Sequence, residues 1–190
     1  MMKETILAVL IGLPPAVDST ETTAERSERL EVVAAAIESA SLEATCKGPY
    51  GGAHWCRPVW SGRREDLAAL LVTQGWWESK FSDRIGAGRC RSFECDALVL
   101  RDGRVIHRSR HYWQLQTSSF VPAYLWSQLV GTEYEPTTLA AHAAAVVLGE
   151  GLKRCGSVPG AISFYAGGGK CSWSGVASRV AMFRHVKSKL

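Results

Sequence analysis

No apolar run in this 190-residue chain approaches the roughly 20 residues that a helix needs to cross a bilayer, so stable membrane insertion is not expected. No Lys/Arg block marks a nucleic-acid-binding arm. None of the cysteines stands in a Cys-x-x-Cys pair, and the histidines are too sparse to complete a ligand set, so no metal site is expected. No Gly-x-Ser-x-Gly elbow is present, which argues against a Ser/His/Asp hydrolase of that design. There is no internal repeat and no low-complexity stretch, and 46% of the residues are hydrophobic, which excludes a disordered chain.

What is present fits one domain over 1–190, long enough to bury a core of its own. The formal charge of +4 suits an anionic polymer, and equally a protein without a charged partner. Six cysteines, Cys46, Cys56, Cys90, Cys95, Cys155 and Cys171, fit an oxidising compartment. Local pairing would join 46 to 56, 90 to 95 and 155 to 171, although fifteen connectivities are formally open.

The periodicity is mostly helical. Ile6 to Leu13 reads as a first helix stopped by Pro14 and Pro15, with the core of a secretory signal as the alternative. Thr22 and Glu25 form a capping box before Leu30, Val33, Ala34 and Ile37, so residues 1–45 hold N-terminal helices. After a glycine-rich loop, Ser61 is placed to cap a helix with Glu65 and Asp66 in its first turn. Its inner face runs through Leu67, Leu70, Leu71 and Gln74 to Glu78 and Phe81. Asp102-Gly103 between short apolar runs predicts a β-hairpin over about 97–107. Helices are expected near 122–130, after Thr137 or Thr138, from Ser157 to Gly167, and over about 176–185. The fold class is therefore mainly α with one small β-hairpin.

Glu78 stands where helical periodicity calls for an aliphatic residue, and such inconsistencies concentrate at functional sites. It follows Trp76 and Trp77. Aromatic walls desolvate a carboxylate and keep it protonated, which a glycosidase acid requires. The bland alternative is a surface carboxylate paired with Lys80 or Arg84.

Trp76-Trp77-Glu78-Ser79-Lys80-Phe81 resembles the hydrophobic–Glu–Ser–x–Phe motif of soluble lytic transglycosylases and goose-type lysozymes. His111-Tyr112-Trp113-Gln114-Leu115-Gln116 is similar to that family's Gly-Leu-Met-Gln-aliphatic motif, with His111 in place of the glycine. Phe164-Tyr165-Ala166-Gly167-Gly168 looks like its Ala-Tyr-Asn-Ala-Gly motif, with Ala166 in place of the asparagine. Gly88-Arg89-Cys90 and Glu94-Cys95-Asp96 match a cysteine loop of an extracytoplasmic branch. The motifs span 64–175 in the family's order. The resemblance implies a lysozyme-like monomer without a cofactor, acting outside the cytoplasm on the MurNAc–GlcNAc β-1,4 bond of peptidoglycan. It implies Glu78 as the catalytic acid and Tyr165 as its orienting partner. It further implies that Gln114 contacts the glycan, that Ser79 contacts the sugar or the backbone beside the acid, and that Trp77, Trp113 and Tyr112 stack on sugar faces, with core packing the alternative for Trp77 and Trp113 and a plain helix end for Ser79. A lytic transglycosylase needs no second acid. An inverting lysozyme needs one about 6.5–9.5 Å away, for which Asp83, Glu94, Asp96 and Asp102 are candidates. Asp102 is the closest to where goose-type enzymes carry it, but in an Asp-Gly pair it is first a turn residue. A glycan-binding module without turnover and a protein-interaction domain with a chance motif match are the remaining alternatives.

Overall fold

The computed structural model describes residues 2–16, 21–42, 60–118 and 121–190, and these are mainly helical. Cys46 and Cys56, and with them their expected pairing, lie outside the described residues.

The first helix, α1, covers Met2–Gly12 and buries Ile6 and Leu10 against α2, which covers Thr23–Leu42. The capping box forms as expected. The Thr22 hydroxyl accepts from the Glu25 amide, and the Glu25 carboxylate accepts from the Thr22 amide. The next helix, α3, runs over Arg64–Ser79. Ser61 does not cap it. Arg63 occupies the cap position without a side-chain bond, and the acidic first turn is held from outside, by Lys187 Nζ at 2.6 Å from Asp66.

A short turn of helix, α4, covers Asp83–Gly86. The hairpin pairs β1, Ala97–Val99, with β2, Val105–His107, in antiparallel register Ala97↔His107. A second ribbon, not expected from the residue pattern, pairs β3 at Ser109–Arg110 with β4 at Leu115–Gln116 and folds the second motif into a tight reversal. The helix expected near 122–130 shrinks to α5, Ala123–Trp126.

The long α6, Tyr134–Cys155, starts ahead of Thr137 and Thr138, which are buried inside it. Its buried face is built of small residues, Ala140, Ala141, Ala143, Ala144 and Ala145, which let α2 approach closely. Gly151 serves the same end towards α7, Val158–Ala166. A Cβ there would stand 3.1 Å from the Ala161 Cα and from the Phe164 Cβ. Ser157 caps α7 by accepting from the Gly160 amide, and the helix stops at Gly167 as expected. The last helix, α8, covers Val176–Lys187 and lies along α3. Disulfides join Cys90 to Cys95 and Cys155 to Cys171, two of the three local pairs. Among the described residues no helix is long and apolar enough to cross a membrane.

Candidate active site

The inner face of α3 is fully buried from Leu67 to Gly75 and then opens at its last turn, where Trp76, Trp77 and Glu78 are each part-exposed. Gly75 permits this turn. A Cβ on it would lie 2.4 Å from the Phe81 ring and 3.2 Å from Trp113 Nε1. Beyond the helix, Lys80 and Phe81 both take left-handed backbone, with φ of 54° and 49°, which folds Phe81 back under the turn.

Glu78 is not paired with Lys80 or Arg84. Its carboxylate accepts from Arg179 Nη1 of α8, and the same nitrogen donates to Gln74 Oε1 at 2.6 Å. The Glu78 and Arg179 side chains are 21% and 11% exposed, so the pair is largely withdrawn from water. Burial nevertheless pushes the Glu78 carboxyl above the ordinary range. The guanidinium pulls the other way, and the charge of Asp96 adds to the rise. Arg179 lies between two indoles, 5.6 Å from the Trp77 ring and 5.3 Å from the Trp173 ring.

The second and third motifs meet behind this turn. The Tyr165 hydroxyl donates to the Trp113 carbonyl at 2.6 Å, and Trp113 Nε1 donates to the Leu71 carbonyl of α3 at 2.9 Å. The Tyr165 phenol is held well above its ordinary range by burial and then by the charge of Glu78. All three motifs thus join one assembly of α3, the β3–β4 reversal and α7.

Several residues assigned to the glycan by resemblance have other work here. Trp113 and Tyr112 are fully buried, so neither offers a face for sugar stacking; they pack edge-on to Phe81. Ser79 is buried too. Its hydroxyl donates to the Gly75 carbonyl and accepts from the Phe81 amide, so it closes the helix end. Gln114 accepts from the Ser109 hydroxyl at 2.8 Å and donates to the His111 carbonyl at 2.9 Å, so its amide is engaged at both ends inside the reversal. Trp77 alone of the three aromatics keeps part of its surface open.

His111 explains its own departure from the motif. Its φ of 63° is the region that favours glycine. The imidazole compensates by stacking on Trp113 at an interplanar angle of 6° and bonding the Gly131 carbonyl at 2.9 Å. Burial lowers its pKa to about 4, so it is neutral at physiological pH.

Among the acids, Asp102 sits at the exposed hairpin tip, paired with Arg104 at 2.6 Å. That bond, rather than any neighbour in the site, holds its carboxyl low. Glu94 is clamped by Arg84 and the Arg91 amide, and Asp83 by Arg89. Asp96 is the aspartate whose charge reaches Glu78. Among the described residues one group has metal-ligand proximity, Cys90, Cys95 and His107 within 4.8 Å, but both sulfurs are spent in the disulfide. Arg179, Gln74, Lys80 and Trp173 were not anticipated as site residues, and nothing in the local sequence around Arg179 announces its partner 101 positions away.

No family model, curated protein or solved structure matches the chain.

Proposed function

We propose that the chain cleaves peptidoglycan glycan strands at the MurNAc–GlcNAc β-1,4 bond, as a lysozyme-like enzyme of the lytic transglycosylase type. The observation that carries this reading is the helix-end carboxyl of Glu78, desolvated to a raised pKa and set against the Tyr165–Trp113 hydrogen bond. In this reading Glu78 protonates the leaving glycosidic oxygen. The substrate's own N-acetyl group assists departure. Glu78 then takes the proton of the sugar's C6 hydroxyl, which closes an anhydro ring. No cofactor enters. The two disulfides agree with a monomer working outside the cytoplasm.

A second reading, an inverting muramidase, rests on Asp96. It is exposed, and its charge is felt at Glu78, as a water-activating base requires.

Mass spectrometry of digested peptidoglycan separates the two, since anhydro-muramyl ends mark the transglycosylase and reducing ends the hydrolase. Glu78→Gln keeps the shape and removes the transferable proton. It should fold, still bind glycan and lose at least about 10²–10⁴-fold in cleavage. Undiminished lysis by this variant would end the proposal.

A further inference from the structure

The site around Glu78 holds more hydrogen-bond donors than acceptors among the described residues. The Glu78 carboxylate has one cation as its partner, and a second cation stands beside that partner. Arg179 is the partner, while Lys80 makes no ion pair among the described residues. The Lys80 ammonium rests instead over Trp76, 3.0 Å from the ring centroid, and 4.9 Å from that of Trp77. Burial, and then repulsion by Arg179, hold Lys80 below the usual lysine range, so the two cations sense each other. Three buried donors of the same cluster also lack acceptors: Arg179 Nε, Trp77 Nε1 and Gln74 Nε2. Gln74 is fully buried. A buried polar group without a partner is costly, and three in one place is a deficit of acceptors. The cations are layered with indoles in the order Trp76, Lys80, Trp77, Arg179, Trp173, and Trp173 is 36% exposed at the open end.

Resting on the glycan-cleaving reading above, we propose that this layered cluster receives a carboxylate carried by the sugar itself, the free lactyl carboxylate of a muramic residue whose peptide has been removed. The carboxylate would pair with Lys80 and share Arg179, while the exposed indole face of Trp173 covers the apolar side of the ring. A peptide amide at that carbonyl carries no charge and leaves the second cation unanswered. The preferred strand is therefore peptide-free. An anion that draws Arg179 towards itself also loosens its hold on Glu78, so binding of the charged sugar readies the acid.

The test is binding to the full chain with its disulfides intact, read by calorimetry, with three tetrasaccharides: neutral chitotetraose, a GlcNAc–MurNAc repeat with free lactyl carboxylates, and that repeat with its carboxyls converted to methylamides. The free carboxylate should bind about tenfold tighter than the methylamide, as one charge-assisted contact warrants. Lys80→Met should bring the two to the same affinity, and Lys80→Arg should keep the preference. Lys80 ends α3 with its side chain on the surface of Trp76, so these variants do not open the core. Equal affinity for carboxylate and methylamide would overturn the inference and leave the glycan reading standing. A preference that survives Lys80→Met would overturn it too. Failure to bind any of the three would sink both.

Discussion

Among the described residues, the ion pairs Glu21–Arg29 and Glu78–Arg179 are both largely withdrawn from water, yet burial weighs differently on each. Glu21–Arg29 is the more buried, with side chains 11% and 9% exposed, against 21% and 11% for Glu78–Arg179. In the first pair burial opposes the charge on Arg29, and the hydrogen bond of Glu21, the Tyr112 phenol and the charge of Glu21 together overcome it, so the guanidinium pKa is raised. Acids crowd the surroundings. Glu25, Glu28, Asp83 and Glu133 line an open depression of about 530 Å³ beside it. In the second pair burial dominates the carboxyl and the arginine only moderates it. Its surroundings are indoles, a second cation and the charge of Asp96. Burial of an ion pair alone thus does not set Glu78 apart. What distinguishes Glu78 is a desolvated carboxyl on the open end of a helix, with its phenol neighbour already oriented.

The sharpest way to break this contrast is to neutralise both carboxylates. Glu21→Gln leaves Arg29 without its anion and should cost roughly 2–4 kcal/mol of stability, as the loss of one partner of a buried pair does. It should leave glycan cleavage unchanged, while Glu78→Gln abolishes cleavage. Paired melting and turnover assays decide it, and equal loss of activity in the two variants would erase the distinction.

Arg179→Met tests the second pair from its other side. With the arginine gone, burial and Asp96 remain, so the Glu78 pKa should rise further. A carboxyl raised in the folded state binds more protons there than in the unfolded chain. Stability therefore falls as pH rises from the unfolded value near 4.5 through the folded pKa. The variant's deficit should be small at pH 4 and grow to about 2–3 kcal/mol at pH 8, somewhat below the figure for a fully buried pair because Glu78 keeps some solvent contact. Denaturant titrations at several pH values measure it, and a deficit independent of pH would mean that Arg179 acts by packing alone.

Legibility followed the range of the information. The Thr22–Glu25 box, the Ser157 cap, the Asp102-Gly103 hairpin and the two short-range disulfides are local, and all were readable. Glu78 at a helix end was readable because it breaks a periodic pattern. Arg179 and Trp173 were not, because the contacts that matter to them arise only when α8 packs on α3. For Tyr112 and Trp113 the resemblance points to sugar stacking, but an aromatic residue in a sequence does not tell a core ring from an exposed one, and here the core takes both. The replacement of a motif glycine by His111 became intelligible only with its left-handed φ and its stacking on Trp113.

The disulfides extend the comparison at smaller scale. Cys155–Cys171 closes a separation of 16 and ties the end of α6 to the segment bearing Trp173, on the Glu78 side. Cys90–Cys95 closes a separation of 5, next to Asp83 and Arg89 of the acidic depression. Chain entropy assigns about 3 kcal/mol to the longer loop and about 2 to the shorter. Replacing Cys155 and Cys171 by alanine should therefore lower the melting temperature more, and should also reduce cleavage by loosening Trp173 over Arg179. The Cys90/Cys95 double variant should affect stability alone.

The smallest effect concerns Gln114, where resemblance and geometry part. The resemblance assigns its amide to the glycan. The structure binds that amide to the Ser109 hydroxyl and the His111 carbonyl, across a residue whose own φ is 47°. Gln114→Ala removes two neutral hydrogen bonds and a weaker third to the Cys95 sulfur from a part-buried reversal, and should cost about 1–2 kcal/mol of folding stability. Glycan affinity, measured in the Glu78→Gln background so that the ligand survives, should not change. Gln114→Gly should recover part of the lost stability, because glycine relieves a left-handed backbone that costs other residues roughly 1 kcal/mol. Should affinity fall while stability holds in both variants, the amide leaves the reversal to meet the sugar, and the resemblance describes this residue better than the resting geometry does.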